Sequence, residues 1–252
     1  MSSLTNQRIL IIGGTAGIGH ETARRMLASG AGAVTVVGRN AARGMAAAKA
    51  LGPRARFLQG DAGLPGDAAR IVAEAADAMG GIDTLFSCAG GDPMPRLLAD
   101  IPLDELMTRV TSSLAPVILP ARAVYPVMAE AGGGAIILLA SDAGKLATPG
   151  ESAIGAAMAG IAMFARTMAI EAKRQGIRVN CLSPSIVQGT PLYDKAMADP
   201  FAARLFGKAE KMAHLGVVEP GDLAEMAIFL ASPAAARITG QTISVTGGIS
   251  AI

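Results

Sequence analysis

Aromatic residues are nearly absent from this chain: Phe, Tyr and Trp make up 3% of its 252 residues, and none is Trp. Hydrophobic residues nevertheless reach 51%, so a core must be built from Ala, Val, Ile, Leu and 13 Met, which suits helices packed closely on a sheet. Cysteine is scarce as well. Cys88 and Cys181 alone make no disulfide framework and fit a reducing compartment, so a cytoplasmic protein is expected. A surplus of one sign of charge is missing too. A net charge of +2 offers no basic footprint for nucleic acid and no electrostatic hold on a membrane surface. The longest apolar run, Ala153–Ala165, falls short of the roughly 18 residues of a membrane span, and residues 1–7 are too polar to begin a secretory leader. No metal site, membrane or nucleic-acid partner is expected; a small-molecule ligand is.

What is present is alternation. Apolar runs fit for buried strands (Ile9–Ile12, Ala33–Val37, Ala55–Gln59, Thr84–Ser87, Ala135–Ala140, Ile177–Leu182 and Thr242–Val245) are separated by helical stretches. Continuous apolar runs mark parallel strands covered on both faces, and the alternation predicts an α/β protein with a doubly wound parallel sheet. The helices are expected near Ile18–Ser29, Ala41–Leu51, Asp67–Met79, Leu103–Ala131, Ile154–Arg174 and Asp222–Ala231. Pro116, Pro120 and Pro126 should bend or break the fourth of these, since an internal proline removes a donor and crowds the preceding turn. Pro184–Gly216 reads as an irregular excursion over the ligand site. Nothing in the composition marks a linker or second domain, so residues 1–252 are read as one domain.

The first strand ends in Gly13-Gly14-Thr15-Ala16-Gly17-Ile18-Gly19 and is followed at once by a helix. Glycines there let backbone amides approach a diphosphate at the positive end of the helix. Thr15, Ala16, Gly17, Ile18 and Gly19 are therefore candidate cofactor contacts together with Gly13. An NAD site usually carries an acid at the end of the second strand to hold the ribose hydroxyls. Here no acid occurs between Glu21 and Asp61, and the strand ends in Gly38-Arg39-Asn40, with Arg43 beyond. An arginine fork suits a 2′-phosphate, so NADP(H) is favoured over NAD(H), with Arg39 and Asn40 at that phosphate. Asp61 and Ala62 stand where the adenine would lie, and Asp61 reads equally well as a turn residue.

Taken in order, the motifs resemble those of the short-chain dehydrogenases/reductases of the single-domain type. The resemblance runs from Arg8 to Gly248 and rests on Gly13–Gly19, Asp61, Ser87-Cys88-Ala89-Gly90, Ser141, Arg178-Val179-Asn180, Ser183-Pro184, Phe229-Leu230-Ala231-Ser232, Thr239-Gly240-Gln241 and Val245-Thr246-Gly247-Gly248. It implies a Rossmann-type sheet of seven strands in the order 3-2-1-4-5-6-7. It also implies cofactor contacts from Ala89, Gly90, Ile186 and Thr190, and a homotetramer or homodimer built on the long central helices.

The chemistry implied by the resemblance uses an Asn, a Ser, a Tyr and a Lys, and here the chain departs from the pattern. Ser141 matches the Ser. Thirteen residues on, where the family has Tyr, stands Ile154; four further, in place of Lys, stands Met158; Ser113 occupies the Asn position. Ile and Met carry no titratable proton, so the usual protonation of the developing alkoxide, a contribution of about 10²–10⁴ in rate, cannot come from them. Tyr193, Asp142, Glu151, Lys145 and His214 are nearby ionisable residues, and their plain readings are packing aromatic, surface acids, loop cation and half-exposed imidazole. Cys88 reads as a small buried residue. Three functions stay open: a carbonyl or imine reductase with a non-standard proton donor, a non-redox enzyme reusing the pocket, or a catalytically silent NADP(H)-binding sensor or oligomer partner.

Overall fold

The first apolar run becomes β1 (Arg8–Ile12), and its alternating side chains divide the molecule into two layers. Leu10 and Ile12 enter one core cluster while Ile9 and Ile11 enter the other, as the two-residue period of a strand requires. The computed structural model describes residues 3–91 and 93–250. Around β1 lie β2 (Ala33–Gly38), β3 (Ala55–Gln59), β4 (Thr84–Ser87), β5 (Gly134–Leu139), β6 (Ile177–Pro184) and β7 (Thr242–Val245). They form one parallel sheet in the order β3-β2-β1-β4-β5-β6-β7, as expected.

One face is covered by α1 (Gly17–Ala28), α2 (Ala41–Leu51) and α8 (Pro220–Ala231), the other by α3 (Pro65–Met79), α4 (Leu103–Glu130) and α5 (Ser152–Ala172). Small buried residues, such as Ala121, Ala157, Ala165 and Ala169, let these helices lie close to the sheet. Helix α4, and the stretch Ser152–Gln175 that contains α5, are long and apolar enough to cross a membrane by length and composition. Both pack against the sheet and contribute Val117, Val124, Met128, Ile161 and Met168 to its core, which accounts for their apolarity.

Two expectations need correction, the first in part. Of a bend or a break in α4, the break is absent: it runs as one helix through Pro116, Pro120 and Pro126. Pro120 has no N–H for the carbonyl of Pro116, and the Ser87 hydroxyl donates to that carbonyl instead, at 3.1 Å. The orphaned acceptor is thus satisfied by the sheet. The excursion after β6 is not irregular either. It contains α6 (Pro191–Ala198) and α7 (Pro200–Met212). Thr190 Oγ1 accepts from the Tyr193 amide, Asp199 Oδ1 accepts from the Phe201 and Ala202 amides, and each cap is followed by proline in the first helical position. Cap followed by proline is a helix-start signal that the mixed polarity of the segment hid.

The strand order reverses between β1 and β4, and the crevice at the carboxyl ends of these strands is where an open α/β sheet places its ligand.

Candidate cofactor cleft and active site

Two cavities open at that crevice. The outer one, about 700 Å³, runs from the β1 turn along the ends of β2 and β3 and is lined by Gly13, Thr15, Ala16, Gly38, Arg39, Arg43, Asp61, Ala62, Ala89 and Gly90. The inner one, about 310 Å³, reaches beneath α6 and is lined by Gly17, Ile18, Gly19, Ser113, Ser141, Glu151, Ile154, Met158, Ile186, Thr190 and Tyr193. Gly13, Ala16, Cys88, Ala89, Gly90, Gly91 and Pro191 line both, so the two adjoin at the β1 and β4 turns.

The fit of this crevice to a dinucleotide can be tested on the start of α1. Its N-cap is Ala16, which has no capping side chain, and its first turn has no acid. The first amides are therefore left for an anion from outside the helix. The glycines let the turn before this helix pack closely on itself and on the β4 turn. Gly13 has φ +88, and a Cβ there would lie 2.8 Å from the Ala89 amide nitrogen; a Cβ on Gly19 would lie 2.4 Å from the Gly13 carbonyl oxygen. These are backbone atoms and cannot swing aside. The residues present fit a diphosphate.

A family model described as enoyl-(acyl carrier protein) reductase matches residues 13–250. The chain belongs to the short-chain dehydrogenase/reductase family. It is 32% identical over 249 residues to the oxidoreductase asL5 of Sarocladium schorii, covering 99% of this chain and 98% of that protein. It is 31% identical over 254 residues, the full length of both chains, to a 2,5-dichloro-2,5-cyclohexadiene-1,4-diol dehydrogenase of Sphingobium indicum. A solved short-chain type dehydrogenase/reductase from Mycobacterium ulcerans superposes with a TM-score of 0.88 at 25% identity, covering 98% of this chain and 90% of that one. Membership implies a nicotinamide cofactor and a small-molecule substrate.

Within this short-chain dehydrogenase/reductase, the basic end of the outer cavity is built by β2 and α2. The Arg39 guanidinium is exposed and comes within 4.0 Å of Asp61. Arg43 reaches back to Thr15, its Nε 3.3 Å from the hydroxyl. Asn40 is used otherwise: its side chain caps α2 by accepting from the Arg43 amide, and it does not line the cavity. Asp61 holds a turn, accepting from the Gly63 amide at 3.0 Å with one carboxylate oxygen, while the other faces Arg39. Thr108, Thr111 and Ser112 of α4 also line this cavity; no local motif marks them, because they arrive from a helix distant in sequence.

In the inner cavity, Ser141 Oγ accepts from the Ala143 amide at 3.3 Å, which uses a lone pair and leaves the hydroxyl proton for a ligand. Ile154 and Met158, one turn apart on α5, are 8% and 9% exposed and belong to the main core cluster. Ser113 is buried beside them. Thr190 is spent on structure, donating to the Val187 carbonyl and capping α6. Burial pushes the Cys88 thiol up to about 12, and its Sγ lies 3.2 Å from the Ile12 carbonyl, so it is a packing residue as expected.

Among the neighbouring ionisable residues, the two acids differ from their plain readings. Asp142 is not a surface acid: it is 4% exposed, accepts from the hydroxyls of Ser183 and Ser250, and pairs with Lys145 at 3.7 Å. A buried carboxylate survives only when partnered, and these partners come from β6, the C-terminal segment and its own turn. Lys145 is the loop cation expected, and it is held there by Asp142 and Ser244. The Tyr193 hydroxyl donates to Glu210 at 2.6 Å, which holds its pKa above the ordinary value and turns its proton toward α7. Glu151 is not at the surface either. It lines the inner cavity, and burial raises its carboxyl pKa from the ordinary value; the Thr148 hydroxyl opposes that shift and the Asp142 charge adds to it.

The cap of α7 carries a prediction. Asp199→Ala removes the acceptor of two amides and should destabilise the protein by about 1 kcal/mol. Limited proteolysis should then cut between Pro191 and Met212 sooner than elsewhere, and an unchanged cleavage pattern would contradict that role.

Proposed function

We propose that the protein is an NADP(H)-binding oxidoreductase acting on a small carbonyl or imine compound through a proton donor other than the family's Tyr. The observation that carries this reading is the pair of adjoining cavities. One is a phosphate-fitting cleft with two arginines at its β2 end; the other is a mostly apolar chamber with Ser141 on its wall. In this assignment the turn Gly13–Gly19 holds the diphosphate through backbone amides, Arg39 and Arg43 take the 2′-phosphate, and Ala62 lies against the adenine. The walls of the inner cavity, including Ala89, Gly90 and Ile186, hold the nicotinamide half. The bound nicotinamide supplies the hydride; Ser141 donates a hydrogen bond to the substrate oxygen, and apolar walls exclude water. We read Leu103 and Met107 on α4, with Met163 and Ile170 on α5, all exposed, as the contact of a homodimer or homotetramer.

The test is a titration with NADPH and NADH followed by turnover on a panel of small ketones, aldehydes and imines. Tight NADPH binding with no turnover would sink the reductase reading. It would favour a silent NADP(H)-binding sensor or oligomer partner, to which the apolar pair Ile154 and Met158 also points; turnover without redox change would favour a non-redox reaction.

Arg39→Ala tests the phosphate assignment. Loss of charge-assisted bonds should weaken NADPH by roughly one to two orders of magnitude and leave NADH nearly unchanged. Fluorescence titration reads both, and equal weakening of the two cofactors would refute the role.

A further inference from the structure

We propose that Glu151 is the residue that delivers the proton to the substrate in the inner cavity. The inference rests on the reductase reading and names the donor that this reading lacks.

Elimination along the cavity wall supports it. Cys88 points its thiol at the Ile12 carbonyl. Thr190 donates to Val187 and accepts from the Tyr193 amide. Tyr193 gives its proton to Glu210. The wall's serines can orient an oxygen, but a serine hydroxyl without a base is a poor acid. Glu151 is the carboxyl that remains among the described wall residues. It stands one residue before α5, and Ile154 follows three positions later; Glu151, Ile154 and Ser141 line the same cavity. Neither Ile154 nor Met158 competes for the proton.

Burial and the neighbouring Asp142 charge both push the Glu151 carboxyl pKa upward, toward the proton-carrying form. Asp142, from the turn after β5, adds a like charge; Lys145 is engaged by Asp142 and Ser244. Tyr193 and Glu210, from α6 and α7, are paired with each other. Burial favours the uncharged form more than the Thr148 hydroxyl and the start of α5 favour the charged one, and the net direction is upward. A general acid works best when its pKa approaches the working pH, and buried carboxyls are tuned that way.

The step balances. As the hydride forms the new C–H bond at the carbonyl carbon, the C=O π electrons move to oxygen, and an O–H bond forms there as the Glu151 O–H bond breaks. Glu151 is left as a carboxylate and regains its proton from solvent; the carbonyl is reduced and the cofactor oxidised.

The experiment compares wild type, Glu151→Gln and Glu151→Asp, with NADPH and a small-ketone panel, alongside an NMR titration of the ¹³C-labelled glutamate carboxyls and melting curves against pH. Glu151→Gln should keep its NADPH affinity and lose about 10²–10⁴ in kcat with a much smaller change in KM, and Glu151→Asp should recover part of the loss. Wild-type kcat should fall as pH rises through the Glu151 pKa, a limb absent from Glu151→Gln. Stability should behave in the same direction. A carboxyl raised in the folded state contributes fully below its unfolded pKa, and that contribution is lost as pH rises through the folded value. Glu151→Gln should lack this decline. Turnover that survives Glu151→Gln, or a Glu151 resonance titrating at the ordinary carboxylate value, overturns the assignment alone. Wild-type protein that binds NADPH yet turns over no carbonyl overturns the reductase reading and this inference with it.

Discussion

Replacing Ile154 by Tyr and Met158 by Lys together should create or raise carbonyl reductase activity by about 10²–10⁴, the usual contribution of a positioned acid. Both side chains line the cavity that also contains Ser141, and one helical turn separates them. A lysine at 158 would therefore lie beside a tyrosine hydroxyl at 154 and lower its pKa. Tyrosine is larger than isoleucine, and the lysine charge enters a core edge that is 9% exposed in the present chain. Some stability should be lost, about 1–3 kcal/mol from overpacking. Circular dichroism and NADPH binding establish that the variant is folded; initial rates on the ketone panel establish the gain. The same variant bears on Glu151. With a tyrosine donor installed, adding Glu151→Gln should cost far less than in the wild-type background, because residues serving one step are not additive. A folded, NADPH-binding variant with no gain would mean that the walls differ from the family's in more than these two positions.

Gly13→Ala should unfold the protein more readily than any surface change. Its φ of +88 is unfavourable for alanine, by about 1–2 kcal/mol. The new methyl would also meet the Ala89 amide at 2.8 Å and the Cys88 carbonyl carbon at 3.1 Å. Neither can retreat, because Ile12 pairs with Ser87 in the parallel ladder and the Cys88 amide donates to the Ile12 carbonyl at 3.0 Å. Overpacking adds about 1–3 kcal/mol, giving about 2–5 kcal/mol in all and a fall in Tm of roughly 5–15 °C. Dinucleotide affinity should vanish with it, since Gly13 lines both cavities and its carbonyl seats Gly19. Gly66→Ala is the control: a Cβ there has nothing within 4 Å, and both Tm and affinity should be retained.

Much of this molecule was readable along the chain because its decisive signals are local. The β1 run and its glycine turn occupy consecutive positions, and strand and helix periods announce themselves within a few residues. The ordered motifs from Gly13 to Gly248 therefore carried the sheet order and the family. Helices α6 and α7 were readable too, from Thr190-Pro191 and Asp199-Pro200, but a mixed polarity pattern concealed them. The continuity of α4 was not. Its prolines argue locally for a bend or break, and for Pro120 the Ser87 hydroxyl, 29 positions away from Pro116, supplies the donor that the Pro116 carbonyl lacks.

The acids mark the boundary most clearly. By sequence alone the chain determined a dinucleotide fold, two arginines, Arg39 and Arg43, just after the second strand, and Ile154 and Met158 where the family pattern has its titratable pair. Asp142 and Glu151 look alike in that text, as two carboxylates near one site. Tertiary structure decided between them: Asp142 is buried against Ser183, Ser250 and Lys145, whereas Glu151 lines the inner cavity with its pKa raised. A carboxyl's chemistry depends on desolvation and on which partners reach it, and both are set by segments brought together from β5, β6 and the C-terminal end of the sheet.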